Sequence, residues 1–490
     1  MLTSIIFLPS AGAFLLVLAG KNPKICRFIA LFIVIMELIL ALALFVSFDR
    51  SATGFSFIER LTWVAPFNIQ YLLAVDGLSV SLVLLNAILG VTAVLISWTV
   101  AERVREYFIL LLLLQTAVMG VFISMDLFLF FVFWELELIP MYFLIARWGS
   151  GRKEYSAMKV LLFTLIGSAF MFVSIIALYF SQPVGDRTFD MIALAQSDLG
   201  GVVSSAGIIS TGFLIAFAVK LPIFPFHTWL PDAHTDAPTA ISVMLAGVLL
   251  KMGGYGLIRI NSGIFPDQLS EFAPFLAIAA VINVIYGAFI VMRQTDIKRL
   301  IAYSSVSHMG FVVLGLSSFG GAVTSTAAIN GAALQLFSHG IITALLFVCA
   351  GLIYERTHTR YIPDMGGLIT KMPLIGIPFI IAGLASLGLP STSGFVAEIL
   401  IFLGAYGAYP LATAVCAFGV VLAAGYMLWV IQRTLFGPSL ERWKDLKDAN
   451  APGIWAMVVL LIPILLIGVY PRILLDVFEN SILRIAMGLT

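Results

Sequence analysis

The sequence predicts an all-α polytopic membrane protein with about fourteen spans. Two observations carry this. Of 490 residues, 61% are hydrophobic and only 11% charged, where soluble domains are roughly half apolar and about a quarter charged. Apolar runs of the ~20 residues that a bilayer requires also recur along the whole chain, punctuated by charge or by Gly/Pro clusters. A soluble enzyme and a disordered chain are both excluded. The net charge of +1 offers no concentrated basic patch for nucleic acid, so the expected surroundings are the lipid bilayer, protons and water.

Taken in order, the spans fall at 2–20, 27–48, 77–98, 108–124, 126–147, 157–181, 205–230, 237–258, 271–292, 300–319, 325–353, 374–404, 409–436 and 452–475. The opening run MLTSIIFLPSAGAFLLVLAG lacks a positive leader and reads as a retained first helix. Residues 49–76 form a polar-aromatic loop with room for a hairpin, 186–198 an interfacial helix, and 476–490 a tail too short to span.

The basic residues test this count. Loops after odd-numbered spans carry 18 Lys/Arg and loops after even-numbered spans six, Arg259 among the six, while Lys159, Lys220 and Lys251 fall in or at the edge of helices. Basic loops stay on the cytoplasmic side, so both termini are expected outside. Two spans contain breaks: AVKLPIFPF places Pro222 and Pro225 mid-span, and LGLPSTSGF places Pro390 and Gly394 mid-span. Proline removes a helical hydrogen bond and clashes with the preceding turn. Breaks at matching places in two halves mark an inverted-repeat transporter, here spans 4–8 (108–258) and 9–13 (271–436), flanked by 1–107 and 452–490.

Ionisable groups near mid-span are Glu37, Glu135, Glu137, Lys220, Lys251, His308, His339 and Glu398. Each charge at that depth costs at least about 2.5–3.5 kcal/mol, so such groups pair or line water. Burial brings amines and carboxylic acids closer in proton affinity, which is the basis of a proton relay. Glu135 and Lys220 read as a coupled pair: the lysine keeps its proton while the carboxylate is near and gives it up when the carboxylate withdraws. The alternative is an ion pair that only fixes packing. Lys251, in AGVLLKMGGYG, has small neighbours that leave room for water, and Glu398 follows the second break. The expected line runs Glu135, Lys220, Lys251, Glu398, with His339 and His308 as relay members or hydrogen-bonded core histidines. Glu137 points to another helix face and is assigned a secondary role. Glu37 is expected to be a packing or subunit contact, Lys159 is read as near enough to an end to snorkel, and His227 and His234 shape a loop. Cys26, Cys349 and Cys416 lack C-x-x-C spacing, and no P-loop, G-x-G-x-x-G or H-E-x-x-H is present, so no metal, disulfide or redox cofactor is expected on this chain.

Residues 219–259, VKLPIFPFHTWLPDAHTDAPTAISVMLAGVLLKMGGYGLIR, closely resemble the central signature of the proton-translocating antiporter-like subunits of respiratory complex I. FFVFWELELIPMYFLIARWG, DIKRLIAYSSVSHMG, QLFSHGIITALLFVCAGLIYER and LASLGLPSTSGFVAE match the same family in order. The resemblance implies about fourteen core helices, two inverted five-helix repeats, and breaks in helices 7 and 12. It implies that Glu135, Lys220, Lys251 and Glu398 are the helix 5, 7, 8 and 12 proton sites. Glutamate at 398 is similar to the chain M (chain 4) type, whereas chains L and N usually carry lysine there. The implied partners are the other membrane subunits, especially L- and N-type chains, and the implied cofactors (NADH, FMN, iron–sulfur clusters and quinone) belong to other subunits. A subunit of a multi-subunit Na⁺/H⁺ antiporter and the membrane arm of a hydrogenase stay open as alternatives. A photosynthetic complex does too, since its version also carries the second glutamate, Glu137.

Overall fold

The computed structural model describes residues 1–51, 54–197, 205–319 and 324–486. In lipid every backbone N–H and C=O must be satisfied within the chain, which makes helix the default for an apolar run. Among the described residues, eleven helices are long and apolar enough to cross a membrane, and shorter apolar helices cover Leu2–Leu18, Ala206–Lys220, Pro373–Ser386 and Ser393–Ala405.

In chain order the helices are α1 (Leu2–Leu18), α2 (Pro23–Ser47), α3 (Gly77–Ile96), α4 (Val104–Ile123), α5 (Leu127–Trp148), α6 (Lys153–Ser181), α7 (Met191–Gln196) and α8 (Ala206–Lys220). Then follow α9 (Trp229–Asp236), α10 (Thr239–Ser262), α11 (Pro266–Val291), α12 (Ile297–Ser317), α13 (Thr326–Thr357) and α14 (Pro373–Ser386). The last four are α15 (Ser393–Ala405), α16 (Pro410–Leu435), α17 (Ala451–Val469) and α18 (Arg472–Ala486). Every expected span coincides with a helix or a broken pair of helices. The hairpin expected within 49–76 is there, as β1 (Ser56–Val64) paired antiparallel with β2 (Ile69–Val75). Of the expected interfacial helix 186–198, residues Met191–Gln196 are helical, as α7; residue 198 of that expectation lies outside the described residues, as do 487–490 of the tail.

The helices form layers. The apolar windows of α10 and α13 are wholly buried, and those of α3 and α12 nearly so, whereas α2, α6, α11, α16 and α17 turn most of their surface outward. That outer surface is apolar, with Phe28, Phe32, Val46, Val173, Phe275, Leu411 and Val469 exposed. A patch of this size suits lipid or a neighbouring membrane subunit.

Both expected breaks occur, and a polar side chain from a neighbouring helix braces each. α8 stops at Lys220, and the chain is irregular over 221–228. The carbonyls that lose helical partners are taken up: Trp229 Nε1 donates to the Val219 carbonyl (2.9 Å), and Asn283 of α11 donates to the Pro222 carbonyl (3.2 Å) while accepting from the Phe224 amide (2.7 Å). At the second break His308 Nε2 lies 2.8 Å from the carbonyl of Ser386, the last residue of α14.

Two sequence expectations are corrected. Arg259 is not in a loop: it lies in α10, buried, ion-paired with Asp76 at 2.6 Å. Lys298, also counted as a loop residue, is buried at the start of α12 and donates to the Ala237 carbonyl (2.8 Å). In both cases the helix extends past the point where the apolar run is interrupted, because a buried acceptor meets the cation.

Candidate functional site

α5 has a joint at Glu137, between helical segments Leu127–Leu136 and Leu138–Trp148. Pro140, three residues on, has no N–H for the Leu136 carbonyl and its ring crowds that carbonyl, which opens the helix there. The joint directs Glu137 inward. Its carboxylate forms an ion pair with Lys220 Nζ, both side chains being essentially buried. Trp134 lies beside the pair, its ring centroid 5.4 Å from the ammonium, a cation–π contact.

This corrects the expected pairing. Glu135 is only half-buried and lies toward Ser168 of α6, within the electrostatic reach of Lys220. Residues two apart on a helix face away from one another, so only one of the two glutamates can sit directly on Lys220, and that one is Glu137. The spacing Glu135–Glu137–Pro140 contained the signal.

Lys251 is wholly buried in α10, between π-helical segments Leu245–Leu249 and Leu257–Ser262. In the first segment the Leu250 amide reaches back to the Leu245 carbonyl instead of that of Ala246. The Ala246 carbonyl accepts from Lys251 Nζ. π-helical turns are rare and concentrate at functional sites. The small residues beside Lys251 do not leave open space as expected. They admit neighbouring helices: a Cβ at Gly253 would come within 2.7 Å of the Leu221 amide nitrogen at the α8 break, and one at Gly254 within 2.6 Å of Leu336.

From Lys251 the line continues to two histidines. Its Nζ lies 2.8 Å from Nδ1 of His339 on α13. Such a contact requires one nitrogen to donate and the other to accept, so moving one proton across it exchanges ammonium plus imidazole for amine plus imidazolium. Among the described residues His339 Nε2 is buried without a hydrogen-bond partner, and the ring centroid of His308 is 5.6 Å from that of His339. His308 Nδ1 faces the Ser304 carbonyl and Nε2 the Ser386 carbonyl, each at 2.8 Å. Carbonyls only accept, so both contacts are hydrogen bonds at once only when both ring nitrogens carry protons.

Glu398, on α15, is 4% exposed and sits under the second break. Gly388 has φ +77°, and a Cβ there would lie 2.7 Å from Glu398 Oε2. Gly388→Ala is therefore expected to destabilise the protein by about 1–3 kcal/mol through backbone strain, read as a lower thermal midpoint of the solubilised complex.

The remaining candidates resolve as follows. Glu37 is wholly buried within the chain, near Gln115 of α4, so its side chain is not on the surface where a subunit would dock. Lys159 does not snorkel freely: it pairs with Asp232 of α9 at 2.6 Å. His234 is buried in α9, stacked on Phe347 (centroids 4.6 Å apart, 8° between planes). Asn283 is not legible in the sequence, because a lone amide carries no periodic or charge signal.

Residues 124–423 match the family model described as NADH:quinone oxidoreductase/Mrp antiporter, transmembrane. The chain belongs to this family. The match includes every residue of the buried line and both breaks. Among curated relatives, NAD(P)H-quinone oxidoreductase chain 4 1 of Synechococcus elongatus is 41% identical, covering 99% of this chain and 91% of the relative. Chain 4 of the corresponding complex from Gloeobacter violaceus is 40% identical over 98% and 91%. Among solved structures, a chain of respiratory complex I from Thermus thermophilus superposes with a TM-score of 0.89 at 28% identity, covering all of both chains. A chain of the Mrp complex from Dietzia superposes at 0.87 with 20% identity, covering 100% and 99%, a likeness of fold. In this family member Lys220 closes the helix before the first break and Glu398 faces Gly388 of the second.

Proposed function

We propose that protons move through this chain along Glu137, Lys220, Lys251, His339, His308 and Glu398, with Glu135 as an accessory acid, driven by quinone reduction in other subunits. The chain is an integral membrane subunit of an NADH–quinone oxidoreductase of the complex I type, and enzymatic as part of that translocase. The Lys251–His339 contact carries the reading: two ionisable groups at hydrogen-bond distance, both buried, leading to a helix break with an acid beneath it. Packing alone does not account for such desolvation.

In this reading the chain crosses the bilayer fourteen times, counting α1 and the two broken helices with the eleven long ones. Spans 4–8 (108–258) and 9–13 (271–436) are the inverted repeats, both termini face outward, and the direct neighbours are L- and N-type chains. FMN, iron–sulfur clusters and the quinone reside in other subunits, consistent with the absence of their binding motifs from this sequence.

Tagging this chain and isolating its native complex tests the reading. The expected result is co-purification of flavin and iron–sulfur absorbance with NAD(P)H-dependent quinone reduction. A complex without redox subunits that exchanges Na⁺ for H⁺ overturns it in favour of the antiporter alternative.

A further inference from the structure

Lys251, Tyr255 and Arg259 recur every fourth residue along α10, which stacks them on one face of the helix, one turn apart. The last two join a hydrogen-bonded string toward the hairpin side of the protein. Tyr255 is wholly buried, and its hydroxyl lies 3.2 Å from the Phe122 carbonyl and 3.0 Å from Ser79 Oγ. Ser79 Oγ is in turn 3.5 Å from Arg259 NH2, and the same guanidinium is 2.6 Å from Asp76, the N-cap of α3. Arg259 also lies under the ring of Phe55, at the start of the hairpin segment.

The directions of these bonds are forced. The Phe122 carbonyl accepts only, so the Tyr255 hydroxyl donates to it. Ser79 then donates to Tyr255, and Arg259 donates to Ser79. A guanidinium has five donors, no acceptor and no accessible deprotonated form. The string therefore ends in a group that cannot accept a proton, held in place by a buried carboxylate. A hydroxyl string alone can conduct protons, but one terminated by a fixed cation both repels an incoming proton and offers it no lone pair.

We propose that the Arg259–Asp76 pair is an electrostatic seal: it closes the direct route from Lys251 along α10 to the hairpin face and so sends the proton sideways to His339. This rests on the reading that Lys251 carries protons. Arg259 acts through the string and is a positioning residue.

The test uses the full complex in sealed vesicles and measures passive proton conductance, without turnover, with a pH-sensitive dye. The doubly neutral variant Arg259→Gln/Asp76→Asn avoids leaving a lone buried charge. It is expected to leak protons several-fold faster than the parent, to lose that leak when Lys251→Met is added, and to show fewer protons moved per electron pair. Arg259→Lys keeps a cation and is expected to stay tight. An assembled double variant as tight as the parent overturns the seal. So does a leak that persists with Lys251→Met. If the double variant does not assemble, Arg259→His/Asp76→Asn provides the second reading, because it places a proton acceptor where the guanidinium has none: a leak supports the seal, and an assembled variant as tight as the parent overturns it. Failure of the relay reading itself is distinguishable, because Lys251→Met would then leave turnover-driven pumping intact.

Discussion

Replacing Glu137 with alanine is expected to stop proton movement and to weaken the fold by about 3–5 kcal/mol, because it leaves the Lys220 ammonium buried without its counter-charge. Lys220 and Glu137 are almost fully excluded from solvent. The half-buried Glu135 makes no such pair, so Glu135→Ala is expected to cost less stability and to slow translocation without abolishing it. Adding Lys220→Met to Glu137→Gln removes both charges, since paired buried groups couple non-additively. Stability should largely return while proton movement stays lost. Thermal midpoints of the solubilised complex and dye-reported acidification of vesicles check both arms. Equal effects at Glu135 and Glu137 would show that the helix joint at Pro140 does not decide the pairing.

Lys251→Met is expected to separate stability from function even more clearly. The amine faces one carbonyl and one imidazole and, among the described residues, has no carboxylate partner. Replacing it with an apolar chain of similar length removes a buried charge and loses two hydrogen bonds, terms of opposite sign, each of about 1–3 kcal/mol. The complex should therefore assemble with a thermal midpoint close to the parent's. The line from Lys220 to His339 would nevertheless be cut, and the number of protons moved per electron pair is expected to fall. An assembled Lys251→Met complex that pumps normally would remove Lys251 from the route.

Much of this architecture is legible in the residues. The apolar runs place the helices, Pro222 and Pro390 announce the two breaks, and the scarcity of ionisable groups within the spans singles out Lys220, Lys251, His339, His308 and Glu398. What the sequence does not display is direction within a span. Glu135 and Glu137 sit in the same short run, and only the joint at Pro140 decides which of them meets Lys220. Arg259 reads as a loop cation because the partner that permits its burial, Asp76, is far away along the chain. The glycines after Lys251 suggest space for water, yet they serve the close approach of the α8 break and α13. Each of these depends on a tertiary neighbour, which periodicity and composition do not encode. Asn283, which braces the first break, is a further case.

The central claim is that electron transfer elsewhere in the complex drives protons along this buried line. Its most direct test is the number of protons translocated per pair of electrons by the reconstituted complex, parent against Lys220→Ala, with assembly confirmed by subunit composition. The variant complex is expected to assemble and to show a lower proton-to-electron ratio. An assembled Lys220→Ala complex with an unchanged ratio would contradict it.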